Sequence, residues 1–258
     1  MEPGALDLRG KVAIVTGGSR GVGRGITLRL LEAGAEVVIC GRSDPEQIPE
    51  AQGRRAVFVS ADVRVPEQID PVIEAAVRRF GRLDLLVNNA GGSPPADAAT
   101  ASPRFSEAIL RLNLLAPLVF SQKANAVMQA QDGGGCIVNV ASVSGVRASP
   151  GTAAYGAAKA GLLSLTQSLA IEWAPKVRVN AIVAGLLRTE QAGLHYGDEA
   201  GIARVAATVP LGRLGEPVDV ANACLFLASP LAAYVTGAAL LVHGGGERPA
   251  FLAAAREP

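Results

Sequence analysis

The chain has 258 residues, with 24 Lys plus Arg against 23 Asp plus Glu and a formal net charge of +1. That balance gives no electrostatic reason to expect a nucleic-acid or acidic-membrane partner. Hydrophobic residues make up 49% of the chain, enough for a large core, yet no apolar run approaches the roughly 18 residues of a membrane span. Cys40, Cys136 and Cys224 stand far apart among apolar residues, and His195 and His243 are isolated. They read as buried thiols of a reducing, cytoplasmic compartment, with no disulfide framework and no metal site. The opening stretch MEPGALDLRGK has neither a cationic start nor an apolar h-region, so no secretory signal is expected.

Residues 11–16, KVAIVT, form a short β-branched apolar run that predicts a buried strand. The turn Gly17-Gly18-Ser19-Arg20-Gly21-Val22-Gly23 follows, then an amphipathic helix to about Ala33 stopped by Gly34, then a second strand from Glu36 to Cys40. Strand, glycine turn, helix and strand make the opening unit of a dinucleotide fold. Glycines there let backbone amides approach a pyrophosphate at the helix N-terminus. The spacing is Gly17-x-x-x-Gly21-x-Gly23, with Ile26 where G-x-G-x-x-G would have its third glycine. A plain tight turn is the other reading.

Further strands are expected at Ala56–Ser60, Leu83–Val87, Cys136–Ala141, Val177–Val183 and Ala238–Val242. Helical patterns lie at Pro66–Phe80, Ser106–Gln131, Thr152–Ala174 and Pro217–Ala228. The stretch Ser43 to Gln52 is short and carries two prolines, so its crossover helix is reduced or absent. Seven strands alternating with helices predict an α/β, doubly wound Rossmann fold, a parallel sheet with helices on both faces. No linker or repeat interrupts the pattern, and residues 1–258 read as one domain. Ligands of such sheets bind outside the carboxyl ends of the strands. Gly17–Gly23, Arg42, Asp62, Asn88–Gly91 and Ser142 fall there. The stretches 93–102 and 185–210 leave from the same edge and have the length of lids.

Tyr155 and Lys159 are four apart in a run that can be helical, which puts both on one face, one turn apart. A free phenol has a pKa of about 10, and acting as an acid near neutral pH needs about three units less, roughly 4 kcal/mol. One ammonium about 4 Å away in a partly solvated site supplies on the order of 4 kcal/mol. Only four of the cationic residues are Lys (Lys11, Lys123, Lys159 and Lys176), so the pairing is uncommon by composition. A Tyr tip hydrogen-bonded to a surface Lys fits the same residues.

In this order the residues resemble the short-chain dehydrogenase/reductase family over nearly the whole chain. TGGSRGVG at 16–23 looks like its cofactor turn and Asp62-Val63 like its adenine contact. Asn88-Asn89-Ala90-Gly91, Asn113, Ser142 and the Tyr155-to-Lys159 run YGAAK complete the pattern. Among members the chain is most similar to 3-oxoacyl-(acyl carrier protein) reductases and broad carbonyl reductases. The resemblance implies that Tyr155 is the acid in reduction and the base in oxidation. Lys159 would lower its pKa and hold the nicotinamide ribose, and Ser142 would bond the substrate oxygen. Asn113 would hold a water linking Lys159 to solvent. The plainer readings are a strand-end turn for Ser142 and a helix residue satisfied by backbone for Asn113.

For the cofactor the resemblance implies contacts from Gly17, Ser19, Arg20, Gly21, Val22, Gly23, Arg42, Asp62, Val63, Asn89, Ala90, Gly91, Tyr155, Lys159, Gly185, Leu187 and Thr189, with Asn88 bracing the sheet. It also implies a homo-oligomer, a tetramer, with helices 106–131 and 152–174 paired across an interface. The slim run Ala153, Ala154, Gly156, Ala157, Ala158, Ala160 and Gly161 suits close approach. The chain departs from the family at Ala184-Gly185, where Pro-Gly is usual, and at His243-Gly244-Gly245, where Asp-Gly-Gly is usual. Gly246 to Pro258 then run past the usual end, where Phe251 and Leu252 either pack on a neighbour or fray.

NAD-type members carry an acid at the end of the second strand; here Gly41 stands there, followed by Arg42, with Arg20 in the glycine turn. Two cations and no acid suit a 2′-phosphate, so NADP(H) is expected, with NADPH preferred over NADH. Solvated surface arginines, with Asp44 neutralising Arg42, are the other reading. The lid residues Leu186, Leu187, Leu194, His195, Tyr196, Ile202 and Val205 are mostly apolar, which suits an apolar carbonyl or secondary alcohol of 3-oxoacyl or ketone type. Arg147 lies near the expected mouth, either to meet a carboxylate or acidic carrier or simply solvated. An NADP-sensing protein without turnover, an NAD-dependent alcohol dehydrogenase, and an epimerase or dehydratase with a larger substrate domain are the alternatives.

Overall fold

The computed structural model describes residues 4–254. β1 (Val12–Thr16) leads through the glycine turn into α1 (Gly21–Glu32) and β2 (Glu36–Gly41). A small antiparallel hairpin, β3 (Glu50–Ala51) with β4 (Arg54–Arg55), stands in place of a crossover helix before β5 (Val57–Ser60). There follow α2 (Asp70–Phe80), β6 (Leu85–Asn88), α3 (Pro103–Leu110), α4 (Ala116–Ala130), β7 (Gly135–Ser142), α5 (Ala153–Glu172) and β8 (Val177–Ala184). The connection after β8 is not irregular as its composition suggests; it folds into α6 (Ala192–Tyr196) and α7 (Glu199–Thr208). Then come α8 (Pro217–Ala228), β9 (Ala239–Val242) and α9 (Ala250–Ala254). None of these helices is long and apolar enough to cross a membrane.

Seven strands form one parallel sheet in the order β5-β2-β1-β6-β7-β8-β9, the doubly wound Rossmann arrangement. Each expected strand is present within two residues of its expected bounds. The strands are buried on both faces, and their two-residue alternation sorts the core into two layers. Ala13, Val15, Val37 and Ile39 face α1 and α8, meeting Ile26, Leu30, Val220 and Leu225. Val12, Ile14, Val38 and Cys40 face α2, α4 and α5, meeting Val72, Phe120, Met128 and Leu169. Each such side chain contributes about 1.5–3 kcal/mol on burial.

A polar tie runs through the second layer. Asn88 Nδ2 donates to Ser121 Oγ at 2.9 Å and to Asn139 Oδ1 at 2.8 Å, and Asn139 Nδ2 donates to Thr166 Oγ1 at 2.9 Å. β6, α4, β7 and α5 are thereby locked together, and a member left unpaired would cost about 1–3 kcal/mol. Asn88 is a brace of the sheet.

The helical pattern over Ser106–Gln131 proves to be three pieces. Ser102 caps α3 by accepting from the Phe105 amide at 3.2 Å. A π-helical turn, Arg111–Leu115, joins α3 to α4. Within it Ala116 donates its amide to Arg111 O, and Asn113 Nδ2 donates to Ile109 O. Pro117, just beyond, has no amide to give the Asn113 carbonyl, and Asn113 sits at the bulge. Strand order reverses between β1 and β6, and the crevice there opens at the carboxyl ends of the strands.

Candidate active site

β1 ends at Thr16, whose buried hydroxyl donates to Val87 O at 3.3 Å and accepts from the amides of Asn89 and Ala90, both at 2.9 Å. Asn89 Nδ2 returns a bond to Thr16 O at 2.8 Å. The glycine turn and the Asn88–Gly91 loop are thus one rigid corner. Gly17 holds φ at +65°, and a side chain there would crowd Asn89 Nδ2 at 3.2 Å. Gly23 packs directly on Gly17 O. The bracing role of Thr16 leaves no mark in the sequence beyond its place at a strand end.

The first turn of α1 fits an anion. Among the described residues the amides of Ser19, Arg20, Gly21, Val22 and Gly23 have no protein acceptor, and no acidic residue stands in that turn. Free amides, a helix N-terminus and glycine walls suit a pyrophosphate. From the lid side Glu190 Oε2 and Thr189 Cγ2 close the turn, 3.8 and 3.9 Å from where a Gly21 side chain would begin, so a lid carboxylate borders the anion position. Leu187 pairs with Gly215 in a β-bridge, which pins the start of the lid. Behind it Gly185 donates its amide to Val242 O at 2.9 Å, and a side chain at Gly185 would strike His243 Cβ at 2.6 Å. His243 therefore takes a packing place against the lid hinge, and its Nδ1 accepts from the Gly245 amide at 3.2 Å.

At the far end of the crevice Arg20 and Arg42 are exposed, and among the described residues neither forms an ion pair. Gly41 has open surroundings: a methyl group added there would meet only Phe58 Cε2, at 3.7 Å. Val63 is buried. Asp62 is not a free acceptor: Arg64 grips it, Nε to Oδ1 at 2.9 Å and Nη2 to Oδ2 at 2.6 Å. That pairing holds its carboxyl below the usual carboxylate range, and the field of Arg42 adds to the effect.

The candidate reacting groups gather where β7 meets α5. Ser142 is the last residue of β7, and its Oγ accepts from the Ser144 amide at 3.2 Å. Tyr155 and Lys159 lie in the first two turns of α5. Lys159 is only 3% exposed, and its Nζ donates to Val140 O at 2.7 Å while lying 5.6 Å from the Tyr155 ring centre. Asn113 is fully buried; its Oδ1 accepts from the Gly92 amide at 2.9 Å and its Nδ2 donates to Gly92 O and Ile109 O, both at 3.0 Å. Gly91 stands between them: a side chain there would lie 2.7 Å from Asn113 Oδ1 and 3.4 Å from Lys159 Nζ. Asn113, Gly91, Lys159, Tyr155 and Ser142 are brought together as the sequence suggests. Ser142 and Asn113 also play the plainer parts of turn and loop anchor.

One electrostatic expectation is reversed. Tyr155 is not lowered by Lys159; burial raises its hydroxyl above the ordinary phenol value, with the Ser142 hydroxyl working the other way and Tyr196 of the lid raising it further. Burial likewise pushes the Lys159 ammonium down to about 8. Desolvation is the cause acting on Lys159, whose hydrogen bond goes to the neutral carbonyl of Val140.

Kinship agrees with this geometry. The family described as enoyl-(acyl carrier protein) reductase matches residues 17–247. The chain belongs to the short-chain dehydrogenase/reductase family. It is 39% identical to a 3alpha-hydroxysteroid dehydrogenase of Mediterraneibacter gnavus, over 92% of this chain and 97% of that one. It is 38% identical to the 3-oxoacyl-[acyl-carrier-protein] reductase FabG of Vibrio cholerae, over 93% and 98%. The ligand-free aldohexose dehydrogenase of Thermoplasma acidophilum superposes with a TM-score of 0.84 at 32% identity, over 92% of this chain and 94% of that one. As a short-chain dehydrogenase/reductase the protein is an oxidoreductase of a family that uses nicotinamide cofactors. The relatives' names span a steroid, an acyl carrier and a sugar, so kinship leaves the substrate open.

The buried ammonium has a measurable signature. Between pH 8 and 10.5 the unfolded chain binds a proton at Lys159 that the folded one has released, so this group makes stability rise with pH across that window. Two to three units correspond to about 3 kcal/mol. Relative to Lys159→Met, the wild type should gain about 2–3 kcal/mol of unfolding free energy between pH 7 and pH 10 in urea titrations. A constant difference between the two proteins would show that Lys159 is not buried as a cation.

Proposed function

We propose that the protein transfers hydride between NADP(H) and an apolar carbonyl or secondary alcohol of 3-oxoacyl or ketone type, working as one domain. The observation that carries this reading is the convergence of Ser142, Tyr155 and Lys159 at the end of β7, with Asn113 and Gly91 behind them. The nicotinamide supplies the redox chemistry when bound. Tyr155 delivers the proton to the substrate oxygen in reduction and removes it in oxidation. Ser142 orients that oxygen from the opposite side, a donor fixed before charge develops. Lys159 holds a positive charge near the phenol as its proton leaves, and would bond the nicotinamide ribose when the cofactor is bound. Asn113 keeps the Gly92 backbone in place and sits where a water reaches Lys159.

The glycine turn, Val63 and the Asn89–Gly91 corner would hold the dinucleotide, with Gly185, Leu187 and Thr189 on the lid side; Asp62 would reach it with the lone pairs that Arg64 leaves open. Leu186, Tyr196, Val205 and Ala206 pack against the lid's own core of Ala192, Ile202, Val209 and Leu214; it is the mostly apolar composition of the lid that supports an apolar substrate. A homotetramer is part of the reading. The outer face of α5 is slim, with Ala153, Ala157 and Ala160 exposed, and Leu115 and Ile171 are exposed at 46% and 81%. Burial of such a face against a second copy removes apolar surface from water.

Three measurements test the reading. Tyr155→Phe keeps the ring and removes the proton, so carbonyl-dependent NADPH oxidation should fall by about a thousandfold or more while NADPH affinity changes little. Near wild-type turnover would remove Tyr155 from the acid role. Light scattering at micromolar concentration should give a multiple of the 26.3 kDa chain, and a monomeric mass would count against the tetramer. The cofactor preference rests on Arg20 and Arg42, each worth roughly 1.5–3 kcal/mol if bonded to a 2′-phosphate. Exposure and salt reduce this, so about a tenfold preference for NADPH is expected in kcat/KM at fixed ionic strength. The double change Gly41→Asp, Arg42→Ala should reverse it, since the new carboxylate has room and repels the phosphate. Better use of NADH by the wild type would sink the assignment.

A further inference from the structure

Arg147 is not left to solvent alone. It lies five residues beyond β7, and its guanidinium holds Glu247 as a fork: Nε donates to Oε2 at 3.0 Å and Nη2 donates to Oε1. Nη1 donates to Ala148 O at 2.9 Å, which fixes the plane of the fork. Glu247 comes from the strap after β9. That strap is tied to the lid, for Arg248 donates its amide to Thr208 O at 2.9 Å at the end of α7, and Leu211 donates its amide to Gly244 O at 3.1 Å. The ion pair therefore joins the loop between Ser142 and Tyr155 to the strap that is bonded to the lid. Burial raises the Tyr196 hydroxyl most and its bond to the Leu187 backbone lowers it; Glu247 adds to the rise and Arg147 opposes it, and Tyr196 in turn raises Tyr155.

We infer that Arg147 is an anion-binding position at the substrate mouth, and that Glu247 is the specificity-determining residue that occupies it and turns carboxylate-bearing substrates away. The inference rests on the carbonyl reductase reading for its substrate class. The physical argument is competition. A two-point guanidinium–carboxylate contact is matched by a substrate carboxylate of the same shape. The chain's own carboxylate holds the position at an effective concentration that free substrate must exceed. A neutral ketone meets no such competitor. Glu247→Gln keeps the shape of the side chain, removes its charge, and leaves the Arg147 donors open to an incoming anion.

The test compares wild type, Glu247→Gln and the double variant Glu247→Gln, Arg147→Gln. The binding probe is octanoate, titrated calorimetrically at low ionic strength. The kinetic readout is the ratio of kcat/KM for 7-oxooctanoate to that for its methyl ester. Glu247→Gln should bind octanoate about tenfold more tightly than wild type and raise the acid-to-ester ratio by a similar factor. The double variant should lose both gains. Unchanged octanoate affinity in Glu247→Gln, or a gain that survives in the double variant, would overturn the inference. So would tighter octanoate binding with an unchanged ratio in an enzyme that reduces the ester, because the anion position would then lie off the substrate path. If none of the three proteins reduced either ketone while octanoate binding shifted as expected, the carbonyl reductase reading would fail and the anion position would stand.

Discussion

Lys159 is a cation buried between β7 and α5 with Val140 O, at 2.7 Å, as its hydrogen-bond acceptor. Few arrangements of neighbours tolerate that, and much of the site can be read as the set that does. Gly91 leaves space beside the ammonium from the loop after β6. Gly145 does the same for the backbone of α5, since a side chain there would lie 2.7 Å from the Lys159 carbonyl carbon. Asn113 fixes the Gly92 backbone from the π-turn that precedes Pro117. A helix bulge, two glycines and a strand carbonyl from separate parts of the chain therefore converge on one residue. The cost of burying it is a local instability kept for function.

The sheet was legible because its signal is redundant. Runs such as VAIVT and IVNVA are short, β-branched and bounded by glycine or polar residues, and seven of them alternating with helices admit few topologies. The site was legible for a related reason: strand ends fix where polar groups emerge, so Gly17–Gly23, Asn89–Gly91 and Ser142 had to share one edge. Other features left weaker marks. The β3–β4 hairpin has two residues per strand, too few for any periodicity to show. The π-turn is a local widening inside an otherwise continuous helical pattern. The pairing of Arg147 with Glu247 spans 100 residues, and nothing local distinguishes either from a solvated surface charge. The same holds for Arg64, whose grip on Asp62 needs the turn conformation before it can form.

Rigidity is unevenly placed along the carboxyl edge. The β1–β6 corner is fixed by the Thr16 hydroxyl, which serves two amides and a carbonyl at once. The lid has its own small apolar cluster of Ala192, Ile202, Val209 and Leu214, separate from the two main layers. A segment with a private core can move as a unit without disturbing the sheet, and its slight attachment to the rest is what opening and closing require. Its two tethers are the Leu187–Gly215 bridge at one end and the strap after β9 at the other.

The upward displacement of Tyr155 is compatible with the acid role proposed for it. A pKa in the free protein compares neutral phenol with phenolate in a buried setting, and burial disfavours the charged form. Catalysis depends on a different comparison, that between the start and the finish of proton transfer. At pH 7, below the value of about 8 that burial gives Lys159, the ammonium is mostly protonated before the reaction begins. When the phenol gives up its proton, the new negative charge forms close to that ammonium. At a separation near the 5.6 Å seen to the ring centre, the attraction is on the order of 3 kcal/mol at an effective dielectric of about 20. It is absent while the phenol is neutral and present once the proton has left. Burial raises the resting pKa and also strengthens this attraction, because the same exclusion of water does both.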